Sequence, residues 1–291
     1  MSENPQEKEP QPPFDEPQQE QTPGLESEME LAPDYGEESY RGSGKLKGKA
    51  AIITGGDSGI GRAVALAFAR EGADVLISYL NEEEDAAETR RVVESAGQRC
   101  LLVAGDISSE SHCQKIVEQA TSEFGRIDIL VNNAAFQMSH EGIVDLPSEE
   151  MEKTFRTNIF AMFYLCKAAL PKMEKGGAII NTASIQAYEP DPSLMAYAAT
   201  KGAIVNFTKS LNKEAVEKGI RVNCVAPGPV WTPLIPATMP PEKVSKFGAD
   251  TPMKRPAQPS ELASAYVFLA SDEASYISGE ILGVTGGKPL P

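Results

Sequence analysis

From Lys45 onward the chain alternates short β-rich apolar runs with stretches of helical period, and that alternation leaves few architectures open. Ala50 to Thr54 reads as a first strand, followed by a helix over Ile60 to Arg70 with apolar residues on most faces. Asp74 to Tyr79 is a second strand with a charged helix over Glu82 to Ala96. A third strand in RCLLVAGD precedes a helix over His112 to Phe124, and a fourth in IDILVNNAA precedes a long helix across Glu149 to Met173. GGAIINTAS and GIRVNCVAP give the fifth and sixth strands, with a helix from near Leu194 between them. A helix over Ser260 to Leu269 and a last strand near Glu280 to Val284 complete the series. Strands joined by helices pair in parallel, with helices on both faces, so the pattern predicts an α/β fold: a doubly wound, Rossmann-type parallel sheet of about seven strands in a single domain. Ligands of such sheets bind at the carboxyl ends of the strands.

Residues 1 to 44 follow another rule. Rich in Pro, Glu and Gln, they carry 12 acidic and 2 basic side chains, −10 of the formal net charge of −15. Such a composition by default gives a disordered tail. Phe14, Leu25, Met29, Leu31, Tyr35 and Tyr40 nevertheless supply anchors, and the stretch from about Pro23 to Gly44 is expected to lie as an arm on the body or a neighbouring subunit. The division is therefore 1–44, an acidic arm, and 45–291, the Rossmann-type domain. The body is only mildly acidic, which argues against nucleic acid or anionic membrane as main partners. Cys100, Cys113, Cys166 and Cys224 show no metal-binding or redox spacing and read as reduced cysteines of a cytoplasmic protein. No apolar run approaches the ~20 residues of a membrane span, and the N-terminus lacks the pattern of a signal peptide.

Two motifs carry chemistry. TGGDSGIGRA, Thr54 to Ala63, lies where a dinucleotide site needs it, between an apolar strand and an Ala-rich helix. Gly55, Gly59 and Gly61 would give a tight turn, close approach of backbone to a pyrophosphate and close helix packing. The spacing is GxxxGxG, and a Gly-rich turn alone could be mere loop chemistry. The second motif is Tyr197 with Lys201, four apart and so on one helix face. A phenol beside an ammonium is an acid/base pair, although many solvated helix faces carry the same spacing. Bringing a tyrosine from ~10 to about 7 requires roughly 4 kcal/mol of preferential phenolate stabilisation. Ser184, past the fifth strand, could hold a substrate oxygen.

Taken together, TGGDSGIG, the NNAA run at Asn132 to Ala135, Asn158, Ser184, YAATK at Tyr197 to Lys201, and PGPVWT at Pro227 to Thr232 resemble the short-chain dehydrogenase/reductase family in unbroken order from about Leu46 to Gly287. The nearest likeness is to bacterial general-stress or glucose-dehydrogenase-like oxidoreductases with an N-terminal extension. The resemblance implies that Tyr197 is the general acid/base, that Lys201 binds the nicotinamide ribose and lowers the Tyr197 pKa, that Ser184 orients the substrate oxygen, and that Asn158 holds a water in a proton relay. It also implies cofactor contacts at Gly55, Asp57, Ser58, Gly59, Ile60 and Gly61 in the turn, at Tyr79, at Asp106 and Ile107, at Asn133 and Ala134, and at Pro227, Gly228, Val230 and Thr232. Ala135 in place of the usual Gly, and VTGG at Val284 to Gly287 in place of VDGG, depart from the pattern without touching a reacting group. A homotetramer is implied, with the helices of Glu149 to Met173 and Ala196 to Glu217 across one two-fold axis.

The expected function is hydride transfer between a nicotinamide cofactor and a small-molecule alcohol or carbonyl, with no metal. The alternatives are a catalytically idle NAD(H) sensor or scaffold acting through the arm, and an acid-tailed interaction module. For the cofactor, the residues past the second strand, Tyr79, Leu80 and Asn81 and then Glu82, Glu83 and Glu84, offer no cation to a 2′-phosphate. Nor does Ser58, preceded by Asp57, so NAD is expected over NADP. If another cation reached the site and reversed this, Arg62 would be the first suspect. His140 and Glu141 read as a solvated loop pair. In the lid over Pro229 to Pro259, Trp231, Leu234, Ile235 and Met239 could be lid core or substrate wall.

Overall fold

The computed structural model describes residues 10–291. Seven strands form one sheet in the order β3-β2-β1-β4-β5-β6-β7, every neighbouring pair parallel. They are β1 (Ala50–Thr54), β2 (Asp74–Tyr79), β3 (Cys100–Ala104), β4 (Ile129–Asn132), β5 (Ala178–Thr182), β6 (Arg221–Pro227) and β7 (Ile281–Val284). The helices flanking them are α1 (Gly59–Arg70), α2 (Glu83–Ser95), α3 (Glu110–Phe124), α4 (Ser148–Phe155), α5 (Ala161–Ala169), α6 (Met195–Ala215), α7 (Leu234–Thr238), α8 (Pro241–Val244) and α9 (Pro259–Ala270).

Side chains of a strand alternate between faces, so a central strand of this sheet must be apolar throughout. In β1, Ala51 and Ile53 enter the core under α1 and α9, and Ile52 enters the opposite core with α3 and α5. Burying each isoleucine contributes about 1.5–3 kcal/mol, which makes the register of the sheet costly to slip. The helix α1 is buried on nearly all sides because it packs on the sheet with α9 and α2 beside it, which explains its alanine-rich sequence.

The expected long helix over Glu149 to Met173 is not continuous. Between α4 and α5, Arg156–Phe160 forms a π-helical turn containing Asn158. An extra residue in a turn leaves the apolar pattern on either side intact, so periodicity did not reveal it. The lid also contains two short helices, α7 and α8, where the sequence suggested only a Pro-rich segment.

Residues 10–44 lie along the body. Phe14, Met29 and Tyr35 are buried, with Phe14 and Met29 in a small core with Trp231, Ile235 and Val244 of the lid. At the root of this stretch, the Glu71 carboxylate accepts from the Tyr40 hydroxyl (2.7 Å) and from the Ser43 and Lys45 amides (both 2.9 Å). Arg70 donates to the Gly36 and Tyr40 carbonyls. The expectation of a disordered tail, as far as it concerns residues 1–9, falls outside the described residues.

Candidate active site

The sheet order reverses between β1 and β4, and a cleft of about 470 Å³ opens there at the carboxyl ends of the strands. The turn after β1 is built to keep side chains out of it. Gly55 and Gly59 have φ of +60° and +53°, and Cβ atoms added to them would fall 2.9 Å from Ala134 Cα and 3.2 Å from Thr232 Cγ2. At Gly61 the reason is different: a Cβ would sit 1.8 Å from the Gly55 carbonyl oxygen, so α1 can start only if this residue is bare. Gly61 therefore shapes the turn from behind, whereas Gly55, Asp57, Ser58, Gly59 and Ile60 line the cleft. The residues fit a dinucleotide: a bare backbone cradle at a helix N-terminus suits a pyrophosphate.

The opposite wall is tied to this turn by main-chain geometry. Thr54 Oγ1 accepts from the Asn133 and Ala134 amides at 3.0 and 3.1 Å, and the Asn133 side chain donates to the Thr54 and Gly55 carbonyls, each at 3.1 Å. Tyr79, Asp106, Ile107, Asn133 and Ala134 line the same cleft on one side, and Pro227, Gly228, Val230 and Thr232 line it on the other. Arg62 does not reach it as a free cation. Its guanidinium is buried behind the turn, donating to the Asp57 carbonyl (2.9 and 2.8 Å), the Asp85 carbonyl (3.0 Å) and Thr89 Oγ1 (2.9 Å), and pairing with Glu26. Burial first, and then neighbouring Glu82, push the Asp57 carboxyl up to about 7.

Deeper in the cleft, β5 ends at Thr182 and the chain delivers Ser184 beside the start of α6, where Tyr197 and Lys201 share a face. Lys201 Nζ donates to the Thr182 carbonyl at 2.8 Å and lies 5.1 Å from the centre of the Tyr197 ring. Lys201 is 2% exposed, and burial lowers its pKa to about 8. Burial also pushes the Tyr197 phenol up to about 12, with Ser184 as a hydrogen-bond partner pulling it back. This reverses the direction expected from the sequence. The ammonium, held by the Thr182 carbonyl, lies over the ring, and loss of hydration sets the direction of the shift.

Asn158 is fixed by its side chain between two elements. Its side-chain oxygen accepts from the Phe136 amide (2.7 Å), and its nitrogen donates to the Phe136 carbonyl (2.9 Å) and to Thr200 Oγ1 (3.0 Å). Thr200 in turn donates to the Tyr197 carbonyl at 2.6 Å. The π turn thus brings a buried amide between the loop after β4 and the face of α6 that carries Tyr197 and Lys201.

Some cleft residues escaped the sequence reading. Glu82 is buried, its carboxylate accepting from the Leu80 and Asn81 amides at 3.2 and 3.1 Å, and it closes the corner past β2. Phe136, Gln137 and Gln186 line the inner end, and Pro23 and Gly24 reach the cleft from the N-terminal stretch. Leu234, Ile235 and Met239 form wall, whereas Trp231 is completely buried on the outer side of the lid. His140 pairs with Glu150 of α4 instead of standing as a loop pair with Glu141. Among the described residues no group of three or more His, Cys, Asp or Glu could hold a metal ion, and no helix is long and apolar enough to cross a membrane.

A dinucleotide cradle opening onto a half-buried phenol and a buried ammonium is the plan of nicotinamide-dependent oxidoreductases, and comparison with known proteins places the chain among them. It belongs to the short-chain dehydrogenase/reductase family, its residues 55–288 matching the family model described as enoyl-(acyl carrier protein) reductase. General stress protein 39 of Bacillus subtilis (strain 168) is 55% identical, over 93% of this chain and 94% of that protein. NADPH-dependent aldehyde reductase 1, chloroplastic, of Arabidopsis thaliana is 48% identical, over 91% of this chain and 94% of its own. Among solved structures, a short chain dehydrogenase from Burkholderia cenocepacia J2315 in complex with NADP superposes with a TM-score of 0.79 at 31% identity, covering 84% of this chain and 98% of that one.

Proposed function

We propose that the chain reduces a small-molecule carbonyl, or oxidises the corresponding alcohol, with Tyr197 as the proton-transferring group. The observation that carries this is the shared position of Ser184, Tyr197 and Lys201 at the inner end of the dinucleotide cleft. A nicotinamide bound there supplies the hydride. The chain's own part is to hold the turn residues Gly55 to Ile60 against the phosphates, to present Val230 and Thr232 to the nicotinamide end, and to manage one proton at the Tyr197 oxygen. A phenol held protonated by burial is ready to donate to a developing alkoxide, the direction of carbonyl reduction. Ser184 holds the carbonyl oxygen, and Asn158 keeps α6 and the loop after β4 in register. The name of the plant relative favours an aldehyde as substrate, and the largely apolar wall of Ile185, Leu194, Leu234, Ile235 and Met239 suits a compact, weakly polar one.

The NAD preference expected from the sequence is not carried over to the function proposed here. The relatives whose cofactors are named hold or use NADP or NADPH, which favours NADP(H) for this chain. The charge rule sought a cation, and Arg62 is not one available to the cleft. The corner past β2 offers another kind of donor, the Leu80 and Asn81 amides, which already hold the Glu82 carboxylate. A phosphate oxygen is bound by the same pair once Glu82 turns away. Four buried, unpaired cysteines support a reducing, cytoplasmic setting. Exposed Met151, Phe160 and Phe163 on α4, the π turn and α5 support assembly of copies through that face.

Tyr197→Phe tests the reading. Turnover of an aldehyde panel with NADPH is expected to fall by about 10²–10⁴-fold with cofactor binding retained, the usual contribution of a general acid or base. Retention of more than about a hundredth of kcat would remove Tyr197 from the role, and a kcat/KM tenfold in favour of NADH would restore the charge rule.

A further inference from the structure

The lid over the cleft is held from outside by the N-terminal stretch. Between Val230 and Thr232, which line the cleft, Trp231 turns the other way and is completely buried. Its ring packs on Phe14 with centroids 4.4 Å apart, and its Nε1 donates to the Leu31 carbonyl at 2.8 Å. Two main-chain bonds fasten the same stretch to the lid helices, from Phe14 N to the Ser245 carbonyl (3.0 Å) and from Gln19 N to the Pro236 carbonyl (3.1 Å). Gly24 is pressed on α7 so closely that a Cβ there would fall 2.4 Å from the Pro233 oxygen and 2.8 Å from Ala237 Cβ.

The stretch is braced internally and anchored at its other end. Glu16 accepts from the Glu30 and Leu31 amides at 2.9 and 3.1 Å, and the Gln19 side chain brackets Leu25, accepting from its amide and donating to its carbonyl at 2.8 Å each. Glu26 pairs with Arg62 of α1, and its amide donates to Asp85 Oδ2 of α2 at 3.2 Å. Arg62 is the side chain that holds the Asp57 carbonyl of the phosphate turn. One segment therefore grips the phosphate turn from behind and the lid from above.

We propose that residues 14–31 are a strap that positions the lid, and through it Val230 and Thr232, against a bound dinucleotide, with Phe14 as its positioning residue. This rests on the reading above that the cleft binds a nicotinamide cofactor and a carbonyl substrate. Of the strap only Pro23 and Gly24 reach the cleft, and no strap residue is bonded to Ser184, Tyr197 or Lys201. The strap's effect falls on how tightly ligands are held, hence on KM, and leaves the proton transfer at Tyr197 unchanged.

The protein carries its own probe, since Trp231 is the single tryptophan of the chain. In the full-length Phe14→Ala protein, Trp231 emission is expected to move to longer wavelength and become quenchable by acrylamide. KM for NADPH and for an aldehyde substrate should rise about tenfold while kcat stays within about threefold, the pattern of lost uniform binding. Phe14→Tyr, which keeps the ring, should restore both. Gly24→Ala lifts the strap off α7 without opening a cavity beside Trp231, and should raise KM in the same way. If Phe14→Ala fails to fold by circular dichroism, Gly24→Ala decides, and an unchanged KM there overturns the proposal. So does a Phe14→Ala protein whose emission shifts with KM unchanged, or one that loses kcat at constant KM. A wild-type protein that binds no dinucleotide sinks the functional reading and this one together; a wild-type that turns over, with both variants matching it, sinks only the strap.

Discussion

Replacing Asn158 with alanine separates a positioning amide from a chemical one. The side chain is 1% exposed and makes three hydrogen bonds, two to Phe136 and one to Thr200. A net of about 0.5–1.5 kcal/mol for each, with two main-chain groups of Phe136 losing their partner in a nearly dry site, gives a loss of about 2–4 kcal/mol. For a domain of this size, 1 kcal/mol moves Tm by roughly 2–4 °C, so a fall of roughly 4–16 °C is expected. Differential scanning calorimetry and urea unfolding measure it on the same samples as kcat and KM. Because Thr200 passes the constraint to the Tyr197 carbonyl, Thr200→Val should overlap with Asn158→Ala, and the double variant should lose less than the sum by about 0.5–3 kcal/mol. An Asn158→Ala protein with wild-type Tm and abolished turnover would refute this reasoning, since it would assign the amide to proton transfer and leave the fold indifferent to it.

Gly61→Ala should destabilise the protein by about 1–3 kcal/mol or more, because its Cβ meets main chain at 1.8 Å, and NADPH affinity by fluorescence titration should fall with it. Glu71→Gln should cost about 2 kcal/mol at neutral pH. Burial alone would raise the Glu71 pKa, but the Lys45 and Ser43 amides and the Tyr40 hydroxyl hold it below the usual range. A depressed carboxylate stabilises above its unfolded pKa and loses that contribution as pH falls through the folded one, so the gap between the two proteins in urea midpoint should narrow as pH drops below the ordinary carboxylate range. Phe163→Glu, on the exposed face of α5, should convert an oligomer to a smaller species in sedimentation velocity; a wild-type monomer at micromolar concentration would remove the assembly proposed for that face.

The elements that sequence located best are those whose pattern is enforced by burial on both sides. The bounds of β1 and β2 coincide with their apolar runs, and α1 differs by one residue, because a doubly covered sheet permits nothing but apolar side chains there. The motif residues of the turn, of the end of β4 and of the start of α6 do meet in one cleft, Gly61 and Asn158 standing behind it. What stayed hidden depends on contacts distant in sequence. Nothing in RTNIF announces a π turn, since Asn158 takes its bonds from Phe136 and Thr200. The rise in the Tyr197 pKa could not be read from a YxxxK spacing, which gives proximity but no account of hydration. The arm's apolar residues were visible as anchors, yet their seat on Trp231 lies some 200 residues away.

That distance has a consequence for how the chain comes to be folded. The arm is made first, but its partners are Trp231, Gln258 and Ser260, separated from Leu31 and Asp34 by 200 to 226 positions. At roughly 5–20 residues per second, synthesis of that interval takes about 10–40 s, during which only the arm's nearer anchors on Arg62, Arg70, Glu71 and Asp85 are available to it. Closing so long a loop is a late event that local helices cannot hurry. The high acid and proline content of residues 1 to 44 is compatible with such a wait, because a segment of that composition stays solvated while its distant partners are missing.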